Sequence, residues 1–285
     1  MSHLRISSHG RLQDWIAAER GHFDAEGLDY ELNVVLMEGS PGTDVRSGAY
    51  EAYGTGEQGK RDMSCACHWA VNQAAADQHG SMWGKAYSIL PAGIYVAPES
   101  DVRRPGDLAG VEVGVGYHSG SHFSALQALE AVVDPDAIEL RFVGQPYDRI
   151  DGLLSRELPA ANVWGPTTYL LEQQGFRRVL DSTFMAGFMF SDTIDSEDVE
   201  RYFRALKRAQ MDLDFEPERF KHHYLKEIPE RFHDSIDVRG FGTGERVVFL
   251  PYTGEAYERS QEWMRERNLF EDTDAAPAYE SVVTV

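Results

Sequence analysis

The sequence is poor in cysteine and in positive charge. Of its 285 residues only two are cysteines, Cys65 and Cys67, and a single residue separates them. Two cysteines at this spacing in an extended segment are poorly placed to bond to each other, so we expect no disulfide framework. Free cysteines are typical of a reducing compartment.

The scarcity of basic residues excludes two classes of partner. Twenty-seven lysines and arginines stand against 47 acidic residues, which gives a formal net charge of −20. Nucleic acids and anionic membrane surfaces require a basic face, so we expect neither as a partner. The sequence also lacks a run of about 18 apolar residues, the length of a membrane span, and its start lacks the apolar core of a secretion signal. We therefore expect a cytoplasmic protein without membrane insertion.

The clearest element of the sequence is a strand, a turn and a helix within residues 111 to 133. Valines alternate from Val111 to Val115, and apolar residues recur at helical spacing from Ala125 onwards. Between them lies a turn with small and polar side chains: Ser119, Gly120, Ser121 and His122. Because a helix N-terminus favours anions, this turn is a candidate binding site. An equally good interpretation is that Ser119 or Ser121 only caps the helix.

The same order of elements occurs twice earlier in the chain. A strand at residues 4 to 7 precedes a helix that starts near Leu12, and their turn carries His9 and Gly10. A strand at residues 62 to 66 precedes a helix at 68 to 78, and their turn carries Cys67 and His68. Such repeats predict an α/β fold with parallel strands, whose carboxyl ends form the ligand-binding edge of a sheet.

Three residues on these turns have side chains suited to catalysis. A helix N-terminus and a neighbouring imidazolium would favour the thiolate of Cys67, and His68 and His9 titrate near neutral pH. We treat Cys67, His68 and His9 as candidate catalytic residues. The alternative is that Cys67 is a small buried hydrophobic residue and that the histidines are polar walls of a cleft, which is the commoner role for any one of them.

A metal site is a further alternative, because several nitrogen and sulfur ligands follow these strands: His9, Cys65, Cys67, His68 and His122. Their spacing fits no zinc finger or knuckle, so we predict no metal site. The sequence identifies no cofactor. Two further histidines, His222 and His223, are expected to be exposed to solvent.

Residues 38 to 60 contain seven glycines or prolines and show no apolar periodicity. This composition predicts a long surface loop. Tyr50 and Tyr53 could form part of a lid over a ligand, although a solvated linker is the commoner outcome for such a segment.

Three segments resemble a known family in the correct order. RGHFDAEGL, DLAGVEVGVGYHSGSHFSALQALE and LLSRELPAANVWGPTTYLLEQQG are similar to motifs of type 2 periplasmic-binding proteins of the nitrate, sulfonate and taurine branch. The resemblance covers most of residues 4 to 183, and Asn162 departs from the pattern in type. It implies two α/β lobes, formed by residues 1–92 with 190–285 and by residues 93–189.

The resemblance also implies a small-molecule ligand in a cleft between the lobes. The residues that would line this cleft are His9, Gly10, Cys67, His68, Ser119, Gly120, Ser121, His122 and Trp164. Two relatives of this fold are enzymes: a biphenyl sulfinate desulfinase that uses cysteine, histidine and arginine, and a thiamin pyrimidine synthase that consumes its own histidine with pyridoxal phosphate. This chain lacks the cysteine-rich motif of the synthase, and it has His9 where the desulfinase has its cysteine.

Two functional hypotheses follow. The one we favour from the sequence is a cytoplasmic lyase or hydrolase that acts on a small anionic or heteroaromatic substrate. The alternative is the substrate-binding component of an ABC importer for a sulfonate-, nitrate- or pyrimidine-like solute. A homodimer is compatible with the sequence. For an anionic ligand we expect binding to strengthen as His9, His68 and His122 become protonated, at a pH of about 6 to 7.

Overall fold

The computed structural model describes residues 3–34, 62–77, 80–270 and 277–284. The predicted loop at residues 38 to 60, with Tyr50 and Tyr53, lies outside these ranges. The described residues form an α/β structure with two separate sheets, and the predicted fold class is confirmed. Among them no helix combines the length and the apolar character that crossing a bilayer requires.

Thirteen strands are present in the described residues. They are β1 (His3–Ser7), β2 (Asp29–Asn33), β3 (Met63–Cys67), β4 (Ser81–Trp83), β5 (Tyr87–Leu90), β6 (Ala92–Val96), β7 (Glu112–Val115), β8 (Glu139–Phe142), β9 (Ala160–Trp164), β10 (Arg177–Asp181), β11 (Phe184–Phe190), β12 (Arg246–Val248) and β13 (Val283–Thr284).

The same residues contain eleven α-helices. They are α1 (Gln13–Glu19), α2 (His22–Ala25), α3 (His68–Ala76), α4 (Gly120–Glu130), α5 (Pro146–Leu154), α6 (Pro166–Gln173), α7 (Ser196–Phe215), α8 (Pro217–Phe220), α9 (Tyr224–Glu227), α10 (Gly254–Glu266) and α11 (Tyr279–Val282). Short 3-10 helices lie at Pro105–Leu108, Pro135–Ala137, Lys221–His223, Glu230–Ser235 and Val238–Gly240.

The two sheets combine parallel and antiparallel pairs. The first has the order β12-β5-β11-β3-β1-β2, and β4 pairs with β11 and β13. Within it β1 is parallel to β2 and β3, as the repeated strand–helix order predicts, and β11 is antiparallel to β3. The second has the order β10-β6-β9-β7-β8, in which β7 is parallel to β8 and β9.

The chain passes between the two sheets at two points. Residues 87 to 96 read as one strand, but Pro91 separates β5 in the first sheet from β6 in the second. Proline has no N–H to donate and therefore interrupts a ladder. The chain returns at Ser182 and Thr183, because β11 pairs with β3 and β5 of the first sheet. The whole of β11 therefore pairs within the first sheet, and the predicted lobe boundaries at residues 92 and 189 stay a prediction.

A cluster of buried apolar side chains joins the two sheets. Cys67 and Phe184 from the first sheet pack with Phe123 and Trp164 from α4 and β9 of the second. Gly120, at the start of α4, lies in the same contact, since an added Cβ would be 2.6 Å from Phe184 Cζ and 3.1 Å from Cys67 Cβ. The missing side chain of Gly120 therefore sets how closely α4 approaches the first sheet.

Substituting Gly120 tests this contact. We expect Gly120→Ala to lower the free energy of unfolding by about 1–3 kcal/mol, because the new methyl group overpacks a buried site. Gly106→Ala is the matched control, since a Cβ at exposed Gly106 would meet no atom within 4 Å. Urea unfolding of both variants measures the difference. Equal stabilities would show that Phe184 moves aside without cost.

Candidate functional site

A small pocket lies where turns from the two sheets meet. Its described lining residues are Gly10, Pro146, Tyr147, Trp164, Pro166, Thr167 and Glu227, around a space that is partly open to solvent and has room for about one water molecule. Gly10 follows β1 of the first sheet, whereas Trp164 and Pro166 end β9 and begin α6. Pockets between two α/β layers are common ligand sites, so this one is the candidate functional site.

The turn after β1 forms one side of this pocket. Both His9 and Gly10 adopt left-handed backbone conformations, with φ of 50° and 78°. The His9 ring stacks on Trp164, with centroids 4.8 Å apart and planes 14° from parallel. A Cβ on Gly10 would lie 3.4 Å from Pro166 Cδ, and its positive φ independently favours glycine. Of the residues predicted to line the cleft, His9, Gly10 and Trp164 are thus brought together.

Glu227 is a pocket residue that the sequence did not reveal. Its carboxylate accepts hydrogen bonds from the Ser8 hydroxyl, from the Trp15 indole N–H at 2.6 Å and from the backbone N–H of Gly10. The side chain is buried, and desolvation raises its pKa above the ordinary value. Of the described residues that line the pocket, Glu227 is the one with an acidic or basic side chain.

The Glu227 backbone is fixed as well. The Tyr147 hydroxyl donates a 2.9 Å hydrogen bond to the carbonyl oxygen of Glu227, so α5 of the second sheet contacts the end of α9. No local pattern in the sequence signals this role, because residues 8, 15, 147 and 227 meet only in the folded chain. A glutamate in a helical, charge-rich segment normally lies at the surface.

Cys67 lies outside this pocket. Its side chain is 2% exposed and packs in the cluster that joins the sheets. Burial raises the pKa of the thiol to about 12, although the backbone N–H groups of Trp69 and Ala70 favour the thiolate. At neutral pH the side chain is therefore a neutral thiol, which fits the alternative of a small buried hydrophobic residue. Its predicted catalytic role stays a prediction.

His68 does not line the pocket either. Its Nδ1 donates a 2.8 Å hydrogen bond to the carbonyl oxygen of Met185, and its ring contacts Trp69 at a centroid distance of 3.9 Å. Desolvation lowers the pKa of the imidazole to about 4. The ring is therefore neutral and held in one tautomer, and its catalytic role also stays a prediction.

The turn from Ser119 to His122 is closed by its own hydrogen bonds. The Ser119 hydroxyl donates to the carbonyl oxygen of Gly116 at 2.8 Å, and the Gly116 N–H donates to the Ser121 hydroxyl at 2.9 Å. Neither serine side chain caps α4. The turn does not line the pocket described above, and its role as an anion site stays a prediction.

Asn162, which departs from the family pattern, hydrogen-bonds to residues of α4 and of the return crossing between the sheets. Its side-chain N–H₂ donates to the carbonyl oxygen of Ser121 and to the hydroxyl of Ser124, both at 2.8 Å. Its side-chain oxygen accepts from the Ser182 hydroxyl at 2.7 Å. The amide therefore links β9, α4 and the return crossing between the sheets, so its role is structural.

The histidines do not titrate where the sequence predicted. His122 is buried and accepts a 3.3 Å hydrogen bond at Nδ1 from the backbone N–H of His118. Burial, with a smaller contribution from the nearby His118, lowers its pKa to about 4. His68 behaves alike, so neither ring is protonated between about pH 6 and 7. These low pKa values do not favour the expectation that the two rings attract an anion in that range, and the predicted pH dependence of anion binding stays a prediction.

The predicted exposure of the two later histidines is correct for one of them. His222 has an exposed side chain, whereas His223 is buried and its Nε2 lies 2.7 Å from the Glu19 carboxylate. Its ring also stacks near Trp15, at a centroid distance of 6.2 Å. His223 is therefore part of the packing between α1 and the C-terminal segment, rather than a solvated side chain.

No family model matches the sequence, and neither does any curated protein. Solved structures do match. The alkanesulfonate-binding protein SsuA from Xanthomonas axonopodis pv. citri, bound to MOPS, is 15% identical with a TM-score of 0.72 over 100% of this chain and 98% of that chain. The desulfurization enzyme DSZB is 15% identical with a TM-score of 0.65 over 99% and 96% of the two chains.

A third similar structure is a Candida albicans gene product with the generic periplasmic binding protein fold. It is 12% identical with a TM-score of 0.68 over 100% of this chain and 96% of that chain. At these identities the comparisons show the fold alone, and the predicted periplasmic-binding-protein fold is confirmed. The similar structures include both a binding protein and an enzyme, so the fold fits either function.

The buried state of His122 predicts a pH-dependent stability. A histidine whose pKa is about 4 in the folded state and about 6.5 in the unfolded state binds fewer protons when folded, so stability is lost as the pH falls below about 6.5. Between pH 7 and pH 5 we expect His122 to account for a loss of about 2 kcal/mol.

Urea unfolding of the wild type and of His122→Gln at both pH values measures this loss. The variant should have the flatter pH dependence, because it lacks the titrating ring. His222→Gln, at an exposed histidine, is the control and should follow the wild type. Parallel pH profiles for the wild type and His122→Gln would contradict the assignment.

Proposed function

We propose that this protein binds a small, flat, neutral or cationic heteroaromatic solute of the pyrimidine type in the pocket between the two sheets. In this proposal it acts as a substrate-binding protein. The sheets belong to the two predicted lobes, residues 1–92 with 190–285 and residues 93–189, except that β11 pairs within the first sheet. The chain returns to that sheet at Ser182 and Thr183. The observation that carries the proposal is the buried carboxylate of Glu227 in the pocket wall.

In its ionised form Glu227 selects against anions. An anionic group about 4 Å from this carboxylate would experience a repulsion of about 4 kcal/mol at an effective dielectric constant of about 20. No arginine or lysine is among the described residues that line the pocket, so nothing there offsets the repulsion. A sulfonate or nitrate is therefore a poor ligand for this pocket. A ring N–H or amino group can instead donate to a carboxylate oxygen.

The aromatic walls favour a flat ligand. Trp164 and Tyr147 both line the pocket, and Trp164 is already held in place by the stacked ring of His9. An aromatic ligand ring stacked on either side chain would gain about 0.5–1.5 kcal/mol beyond the burial of its surface. The rigid tryptophan also lowers the entropy cost of ordering the pocket on binding.

One observation favours an enzyme as the second candidate. Glu227 is desolvated, its pKa is raised and it lines a pocket, and these three properties are typical of a general acid or base. In this second proposal a cytoplasmic lyase or hydrolase uses Glu227 on the same heteroaromatic substrate. Cys67 and His68 are less suited to the reaction, because neither lines the pocket.

Calorimetric titration with an aminopyrimidine and with an alkanesulfonate of similar size tests the first proposal. The wild type should bind the aminopyrimidine more tightly. Glu227→Gln should weaken that binding ten- to a hundredfold, about 1.4–2.8 kcal/mol, because the amide loses the negative charge. Glu230→Gln, at an exposed glutamate close in sequence, should bind like the wild type. Tighter binding of the sulfonate would contradict the proposal.

The enzyme candidate needs a separate measurement. Incubation of the protein with the bound aminopyrimidine, followed by NMR, detects any chemical conversion. Turnover that is lost in Glu227→Gln and retained in Cys67→Ser supports acid–base catalysis by Glu227. The reverse pattern would restore Cys67 as the catalytic residue.

A further inference from the structure

Three buried side chains with metal-binding atoms converge beside the His9–Trp164 stack. His9, Cys65 and Glu245 each place one ligand atom within 4.8 Å of the others, and all three residues are buried. They come from the turn after β1, from the middle of β3 and from the residue before β12. The three residues are therefore distant from one another in the sequence. The sheet order brings it together.

The spacing is close to that of a tetrahedral metal site. With bonds of about 2.3 Å to sulfur and about 2.1 Å to oxygen, a tetrahedral zinc ion holds the two ligand atoms about 3.6 Å apart. Cys65 Sγ lies 3.6 Å from Glu245 Oε1. The upper limit of 4.8 Å for the whole group exceeds the tetrahedral separation by about 1 Å, which small side-chain rotations can close.

The Glu245 carboxylate is incompletely satisfied. Its Oε1 accepts hydrogen bonds from the Ser88 hydroxyl and the Cys65 thiol, whereas its buried Oε2 has no hydrogen-bond partner among the described residues. Leaving a buried carboxylate oxygen without a partner is costly. A bound cation would satisfy this oxygen.

A buried ion pair lies beside the group. Arg11 is buried and pairs with Asp14, and its Nη1 also lies 3.8 Å from Glu245 Oε1. With that pair neutral, a divalent ion compensates one thiolate and one carboxylate.

We propose that His9, Cys65 and Glu245 form a binding site for one divalent transition-metal ion of the zinc type. A histidine nitrogen, a cysteine sulfur and a carboxylate oxygen suit a borderline-soft ion, and three protein ligands leave a fourth position for water. Binding transfers the Cys65 thiol proton to solvent as the metal–sulfur bond forms. The ion also fixes the His9 ring that stacks on Trp164. This set differs from the ligands considered in the sequence, because it includes Glu245 and omits Cys67, His68 and His122.

Titration of the metal-free full-length chain with Co²⁺, followed by absorption spectroscopy, tests the site. The wild type should bind one Co²⁺ per chain and show a thiolate-to-cobalt charge-transfer band, and Zn²⁺ should displace it. Cys65→Ser should lose the band and bind at least tenfold more weakly. Cys67→Ser is the matched control, since it removes a buried cysteine two residues away, and it should retain both the band and the affinity.

Two further variants keep the result interpretable. Glu245→Gln should weaken Co²⁺ binding at least tenfold while retaining the thiolate band at saturation, which separates loss of a ligand from loss of the fold. His222→Ala tests the surface group of Glu19, His222 and His223, which also lies within ligand distance. Absence of binding to the wild type would overturn the proposal. So would binding that persists in Cys65→Ser and is lost in His222→Ala.

Discussion

The contact between the turn after β1 and the turn after β9 determines the geometry of the candidate site. The His9 ring stacks on Trp164, and Gly10 approaches Pro166 closely enough to leave little room for a side chain. The same turn holds Glu227, because the Ser8 hydroxyl and the Gly10 N–H both donate to its carboxylate. One turn of the first sheet thus positions the aromatic wall and the charged group of the pocket together.

Burial decides which of the other polar residues can act as charged groups. The sites of Cys67, His68 and His122 disfavour their charged forms, so these side chains are neutral near pH 7. Burial also raises the pKa of Glu227, although hydrogen bonds from Ser8, Trp15 and Gly10 offset part of the desolvation of its carboxylate. A cleft that the sequence describes as rich in titratable groups therefore presents aromatic rings and one carboxylate to a ligand.

Much of the fold could be predicted from the sequence, because three strand–turn–helix units have clear periodicity. The pattern did not reveal β11, since both faces of that strand are largely buried and its residues are apolar almost throughout. Of the residues that the sequence predicted for the cleft, Gly10 and Trp164 line the pocket and His9 stacks on Trp164, while their functional roles stay predictions. Glu227 and Glu245 could not be found, because their partners are distant in sequence and only the assembled sheets bring them together.

The central claim is that a flat ligand with N–H donors binds between Trp164 and Glu227. The most direct measurement is a crystal structure of the protein in complex with an aminopyrimidine. The account predicts electron density for the ring stacked on Trp164, with an amino or ring N–H group within hydrogen-bond distance of the Glu227 carboxylate. Density for the ligand at the Ser119–His122 turn, with the pocket beside Glu227 empty, would contradict it.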